Sequence, residues 1–167
     1  MINRFYRAAA AGAILASAAA PAFATEATST LDVNATVTAN CVVSTGLLDF
    51  GDVDVTSGQN VDGTGSISVT CTNGTAWSAA ADAGADTGAT LATRKMAAGA
   101  NKLGYQLFTD NARTAIWGDG VGGTTALITA TGSGSAQTKT VYGQIAAGQT
   151  GLPAGDYADT VNVTVTY

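Results

Sequence analysis

Histidine is absent from the 167 residues, and charged side chains make up only 11% of them. An ordinary soluble domain carries about 25% charge. Each shortage removes a class of chemistry. Without imidazole there is no Ser-His-Asp triad, no Cys-His dyad, no His-containing zinc site and no side chain that titrates near neutrality unaided. The residual charge is acidic, −5 overall, which argues against a surface that tracks nucleic-acid phosphates. Lone Ser/Lys or paired Asp arrangements fall in no recognisable catalytic motif, so nothing supports an enzyme and no cofactor is expected. Proline and cysteine are scarce at two each, whereas glycine reaches 21. The length suits one domain, large enough to bury a core without many disulfides.

No apolar run is long enough to span a bilayer, so no direct membrane insertion is expected. Arg4 and Arg7 precede the apolar stretch Ala8 to Ala20, and Pro21-Ala22-Phe23-Ala24 supplies an A-x-A cleavage site. This is the pattern of an export signal over residues 1–24. Cleavage after Ala24 leaves five basic and twelve acidic side chains, a mature charge of −7. Export places Cys41 and Cys71 in an oxidising compartment, where pairing is the default. Their bond closes a loop of 31 residues, a constraint worth on the order of 3–4 kcal/mol in chain entropy. A reactive thiol would lack a His partner and leave the second cysteine idle.

Along the mature chain a period of two dominates. Leu31, Val33, Ala35 and Val37 alternate with Asp32, Asn34, Thr36 and Thr38, which predicts a strand with one apolar face. Ile67, Val69 and Cys71 repeat the pattern, as do Trp77, Ala79 and Ala81 after the Asn73-Gly74 turn. Further strands are predicted at Leu103–Leu107, Ala115–Trp117 and Val141–Ile145. The last runs through Val161, Val163, Val165 and Tyr167. Ala83–Ala100 reads as a loop or short strand, and Gly118–Gly134 as a flexible surface loop. Short strands with Gly-rich turns predict an antiparallel sandwich. An immunoglobulin-like sandwich needs about seven strands, and the chain from Cys41 onward supplies about six with short extras. The cleanest strand ends the sequence with nothing left to cover its edge, while an equally clean one stands just before Cys41. Thr38-Ala39-Asn40 holds no Gly or Pro to turn it back. An open apolar edge is an aggregation hazard, unless the arm of one molecule completes the sandwich of the next.

Several stretches carry a resemblance to a known family. They are Val141-Tyr142-Gly143-Gln144-Ile145, Gly148-Gln149, and Leu152-Pro153-Ala154-Gly155-Asp156-Tyr157-Ala158-Asp159-Thr160-Val161 through to Tyr167. Leu48-Asp49-Phe50-Gly51, Ile67 to Cys71, Leu103 to Arg113 and Trp117-Gly118 add to them. Together they resemble the spore coat protein U domain, whose family includes the archaic (Csu-type) chaperone–usher pilins. The resemblance implies an all-β, incomplete immunoglobulin-like antiparallel sandwich completed by donor-strand exchange, a form of β-augmentation. It divides the chain into a signal (1–24), a donor arm (25–40) and a pilin domain (41–167). Leu31, Val33, Ala35 and Val37 become the donor plugs. Val161, Val163, Val165 and Tyr167 become one wall of the acceptor groove, with Val42 a candidate for the other. The implied partners are a periplasmic pilus chaperone, an outer-membrane usher and identical or related subunits joined head to tail. The implied location is the periplasm during assembly and the cell surface afterwards.

Other features have plainer readings. Asp49, Asp52 and Asp54 invite a Ca²⁺ site, but their spacing is not that of an EF-hand, and Asp in Gly-rich turns is commonplace. The sequons at Asn34, Asn73 and Asn162 arise readily on Thr-rich strands. Arg94, Lys95 and Lys102 read as a solvated loop. Trp77 and Trp117 read as core and edge aromatics rather than a sugar platform. Two alternatives stand beside the pilin reading: a coat or matrix protein of the same fold, and a self-contained secreted module, for carbohydrate, using Trp117 and the glycine-rich loop after it. If the disulfide is structural, the double variant Cys41→Ser/Cys71→Ser should give a lower yield of chaperone-bound subunit from a periplasm. Unchanged yield and stability would count against that role.

Overall fold

A computed structural model describes residues 23–167, so nearly all of the segment predicted as an export signal lies outside the described residues. Among the described residues no helix is long and apolar enough to cross a membrane. The chain divides into two units, one ending at Ala35 and one running from Thr36 to Tyr167. In the first, no described residue belongs to a strand.

The second unit is built from eight strands. They are β1 (Cys41–Thr45), β2 (Val61–Cys71), β3 (Ala76–Ala81), β4 (Arg94–Ala98), β5 (Asn101–Phe108), β6 (Ile128–Thr131), β7 (Gln137–Ile145) and β8 (Val163–Thr166). They form a five-stranded sheet in the order β1-β2-β7-β5-β4 and a three-stranded sheet in the order β6-β3-β8. Every strand pair is antiparallel. The alternation seen in the sequence is the alternation of burial. Ile67, Val69 and Cys71 of β2, Leu103, Tyr105 and Leu107 of β5, and Val141 and Ile145 of β7 face inward. Trp77, Ala79 and Ala81 of β3 and Ile128 of β6 meet them from the smaller sheet. Burying each large aliphatic side chain contributes about 1.5–3 kcal/mol.

The Asn73-Gly74 turn carries the chain from one sheet to the other, because β2 and β3 lie in different sheets. The disulfide is present between Cys41 and Cys71, which stand directly opposite each other in the β1–β2 ladder. Both tryptophans are core residues, so the edge reading of one of them is corrected. Each indole N–H is satisfied: Trp77 donates to Gln137 Oε1 at 3.1 Å and Trp117 to the Ala79 carbonyl at 2.9 Å.

Two further expectations change. Gly118–Gly134 is not simply a loop, since it contains a 3₁₀ turn at Val121–Gly123 and all of β6. Ile128, paired with Ala79, anchors that segment in the core. Arg94 is not solvated either. Its side chain is 0% exposed, with the guanidinium donating to the backbone carbonyls of Asp82 (2.7 and 2.9 Å) and Trp117 (2.7 Å) and to Gln106 Oε1 (2.6 Å). It therefore ties the end of β3 to β5 and to the Trp117 segment. Burial lowers the guanidinium pKa, and the charges of Tyr105, Asp82 and Asp159 oppose that effect. A fully buried cation is tolerated only where its donors are satisfied, and here backbone oxygens supply most of the acceptors. Arg94→Met keeps an unbranched apolar stem but strands those carbonyls. Urea unfolding at pH 7 should show a loss of about 2–4 kcal/mol; a loss below about 1 kcal/mol would mean that the carbonyls find other partners.

Candidate functional site: a groove between open sheet edges

The two sheets differ in how their edges end. At the β4 side of the larger sheet, Ala97 forms an antiparallel bridge with Ala158, so the 152–160 segment covers that edge. Among the described residues no strand pairs with the outer side of β1 or of β8. Both edges therefore present free N–H and C=O groups, the usual template for an added strand. The inner-facing Val43 shows what the missing cover means. Its partner Val69 is 0% exposed, whereas Val43 is 38% exposed.

A groove of about 1200 Å³ opens over the core between these elements. Ile67, Leu103, Leu107, Val141 and Ile145 are among its lining residues. One wall is the segment after β1, carrying Leu48, Phe50 and Val53. The other is Leu152–Val161 with Val163. The first wall exists because of a bulge. Gly46 N donates to the Ser66 carbonyl at 2.7 Å, and Asp49 next bridges Thr64, so Leu47 and Leu48 oppose Gly65 alone. An extra residue reverses the alternation downstream. Leu48 and Phe50 thereby turn inward while Leu47 is left exposed.

The sheet is flattened to receive them by Gly63, Gly65 and Gly143. A Cβ at Gly65 would stand 2.8 Å from Leu48 Cβ, and one at Gly143 would stand 2.8 Å from Phe50 Cζ. On the facing side, Phe50 meets the Tyr105 ring edge-on at 6.2 Å. Tyr105 donates its hydroxyl proton to Asp159 Oδ2 at 2.6 Å, and burial, aided by that bond and the carboxylate charge, raises its pKa. The other oxygen of Asp159 accepts from Ala85 N and Thr160 N, each at 2.8 Å. The second wall is thus held to the core by its own carboxylate.

The predicted site residues fall as follows. Val161 and Val163 line the groove, Val165 packs against the core on the same face of β8, and Tyr167 extends past the strand. Val42 faces outward at 63% exposure, and the wall on that side is made by Leu48, Phe50 and Val53, which were not assigned from the sequence. The Leu48-Asp49-Phe50-Gly51 motif was itself the signal. Leu31, Val33 and Val37 are 86%, 82% and 84% exposed, and Ala35 is exposed with them. The strand predicted over residues 31–37 does not form, since an extended segment needs a partner edge for its N–H and C=O groups. Asp49 and Asp54 close turns, accepting from Gly51 N and from Thr56 N, both at 2.8 Å.

A family model for the Spore Coat Protein U domain matches residues 27–164. No curated protein matches the chain in sequence. Among solved structures, it is similar to a chain in the CsuC–CsuE chaperone–tip adhesion subunit pre-assembly complex, from archaic chaperone–usher Csu pili of Acinetobacter baumannii. That match has a TM-score of 0.56 and 22% identity and covers 79% of this chain. It spans 40% of the length of the other chain. At that identity the likeness is one of fold: all-β, with antiparallel sheets curled into an open sandwich.

Asp82 fixes the start of β8, the groove's free edge. Its carboxylate accepts from the Asn162 side chain at 2.6 Å, from Asn162 N at 3.0 Å and from Gly84 N at 3.0 Å. Burial alone would raise its pKa, but these bonds and the Arg94 charge outweigh burial and lower it. A lowered carboxylate pKa gives stability that is complete above the unfolded value near 3.9 and is lost as pH falls through the folded value. With no histidine, stability should be flat from pH 5 to 8 and fall below about pH 4. Asp82→Asn should be less stable at pH 7 and show a shallower acid limb in chemical denaturation. An acid limb as steep as that of the parent protein would remove Asp82 from this role.

Proposed function

The chain belongs to the spore coat protein U domain family, and on that premise we propose that it is a structural subunit of a surface pilus assembled by the chaperone–usher route. The observation that carries this reading is a pair of matching defects in one chain. The domain leaves a groove flanked by two unpaired edges, and the segment before it carries exposed apolar residues at the two-residue period of a strand. In this reading residues 25–40 are the donor arm and residues 41–167 the acceptor domain. Leu31, Val33, Ala35 and Val37 enter the groove of the next subunit, beside Val161, Val163, Val165 and Tyr167. Donor plugs on one face of a strand recur about every 6.6–6.8 Å.

Backbone pairing along β8 and burial of each large plug, about 1.5–3 kcal/mol, drive the exchange. Ordering of the arm and lost rigid-body freedom oppose it. The contact is head to tail and does not close on itself, which yields an open filament. Escape requires opening the sandwich, so persistence is kinetic. Before exchange, a periplasmic chaperone covers the groove and an outer-membrane usher exchanges it for the arm. The finished fibre stands on the cell surface and serves adhesion and biofilm formation.

Two experiments test this. Subunits purified from a periplasm with and without the candidate chaperone are run unheated and heated on a denaturing gel. A ladder that collapses only on heating is expected, and a stable monomer that folds reversibly with no partner would sink the reading. Removing Thr25 to Thr38 should leave a subunit that binds chaperone but cannot donate. Fibres grown from that truncated protein would show that the donor segment lies elsewhere.

A further inference from the structure

The β1–β2 pairing runs one position beyond Cys41↔Cys71, to a point where the Thr72 carbonyl accepts from Thr75 N at 3.0 Å, closing the turn toward β3. Thr72 N donates to the Asn40 carbonyl at 2.9 Å. Asn40 N donates not to the Thr72 carbonyl but to Thr72 Oγ1 at 3.1 Å. The same hydroxyl donates its proton to the Thr38 carbonyl at 3.3 Å, with the Asn40 carbonyl 3.4 Å away as its other option.

A hydroxyl has one proton to give and lone pairs to receive, so one side chain serves both Thr38 C=O and Asn40 N–H. In extended backbone those two groups, two residues apart, lie on the same side of the chain. The hydroxyl thus holds residues 38–40 straight, as a continuation of β1. A second contact acts at the same point, where the Tyr167 hydroxyl donates to Asn40 Oδ1 at 3.4 Å.

We propose that the Thr72 hydroxyl is a positioning group that stops the arm from folding back into the groove of its own molecule, leaving it available to a neighbour. The proposal rests on the strand-exchange reading above. Self-insertion would require the chain to reverse within Thr38–Asn40, three residues without Gly or Pro. Each of the bonds to Thr72 Oγ1 must break for that reversal.

The test uses the full mature chain, purified as its chaperone complex, released as a monomer at low concentration and then concentrated. Thr72→Val keeps the side-chain shape without the hydroxyl, and Thr72→Ser restores the hydroxyl. In the Val variant, amide exchange of residues 31–37 in the monomer should slow by about tenfold, and multimer formation should slow by a similar factor. The Ser variant should match the parent protein in both. A second variant, Thr38→Gly with Ala39→Gly, loosens the same root without touching the domain from Asn40 onward, and should shift both readouts in the same direction even if Thr72→Val fails to fold. Parent-like multimer rates and unprotected arm amides in the folded variants would overturn the proposal while leaving strand exchange intact. Failure of the parent protein itself to form multimers would instead remove the reading on which the proposal rests.

Discussion

Every backbone N–H and C=O group in a β protein must find a partner, and a sheet satisfies that demand everywhere except at its edges. Of the four margins of its two sheets, this domain covers one and leaves those of β1, β6 and β8 without a strand among the described residues. Ala158 closes the β4 side by bridging to Ala97. The outer sides of β1 and β8 have no strand beside them among the described residues. Partial exposure of Val43 and the open groove follow from those unmet edges.

The groove does not collapse because its walls are tied down from within. A bulge after β1 sends Leu48 and Phe50 inward, onto a lane of glycines in β2 and β7. Opposite them, Asp159 links the last loop to Tyr105 and to the backbone at Ala85. Arg94 replaces a piece of apolar core with a hydrogen-bonded clamp on three separate segments. The molecule thus keeps a hydrogen-bonded floor and walls around an open groove.

Period-two alternation revealed most of the strands, because a half-buried strand has to alternate. The cysteine pair was equally legible, since a chain whose sequence reads as exported and holds two cysteines leaves one simple pairing. Arg94 was not. Its neighbours Lys95 and Lys102 made it look like part of a solvated cluster, and nothing local announces that carbonyls from distant segments will converge on one guanidinium. The wall formed by Leu48 and Phe50 was hidden for another reason. A bulge shifts the phase of the alternation by one, so continuing the inward phase of Cys41 and Val43 points to Leu47 rather than to Leu48 and Phe50 beyond the shift, while Val42 stands on the outer face opposite Thr70. β6 escaped because four strand residues within a glycine-rich stretch are too few to set a period.

The position of the disulfide has a mechanical consequence. Cys41 is the first residue of β1 and lies one position after the root at Asn40. Tension applied along residues 36–40 therefore meets only the Asn40–Thr72 bonds before Cys41, and arrives there ahead of the ladder from Val42 to Thr45. There the covalent link passes the load to β2, an eleven-residue strand flanked on both sides in the larger sheet. A pull that would unzip β1 one hydrogen bond at a time is instead shared by the longest ladder in the domain.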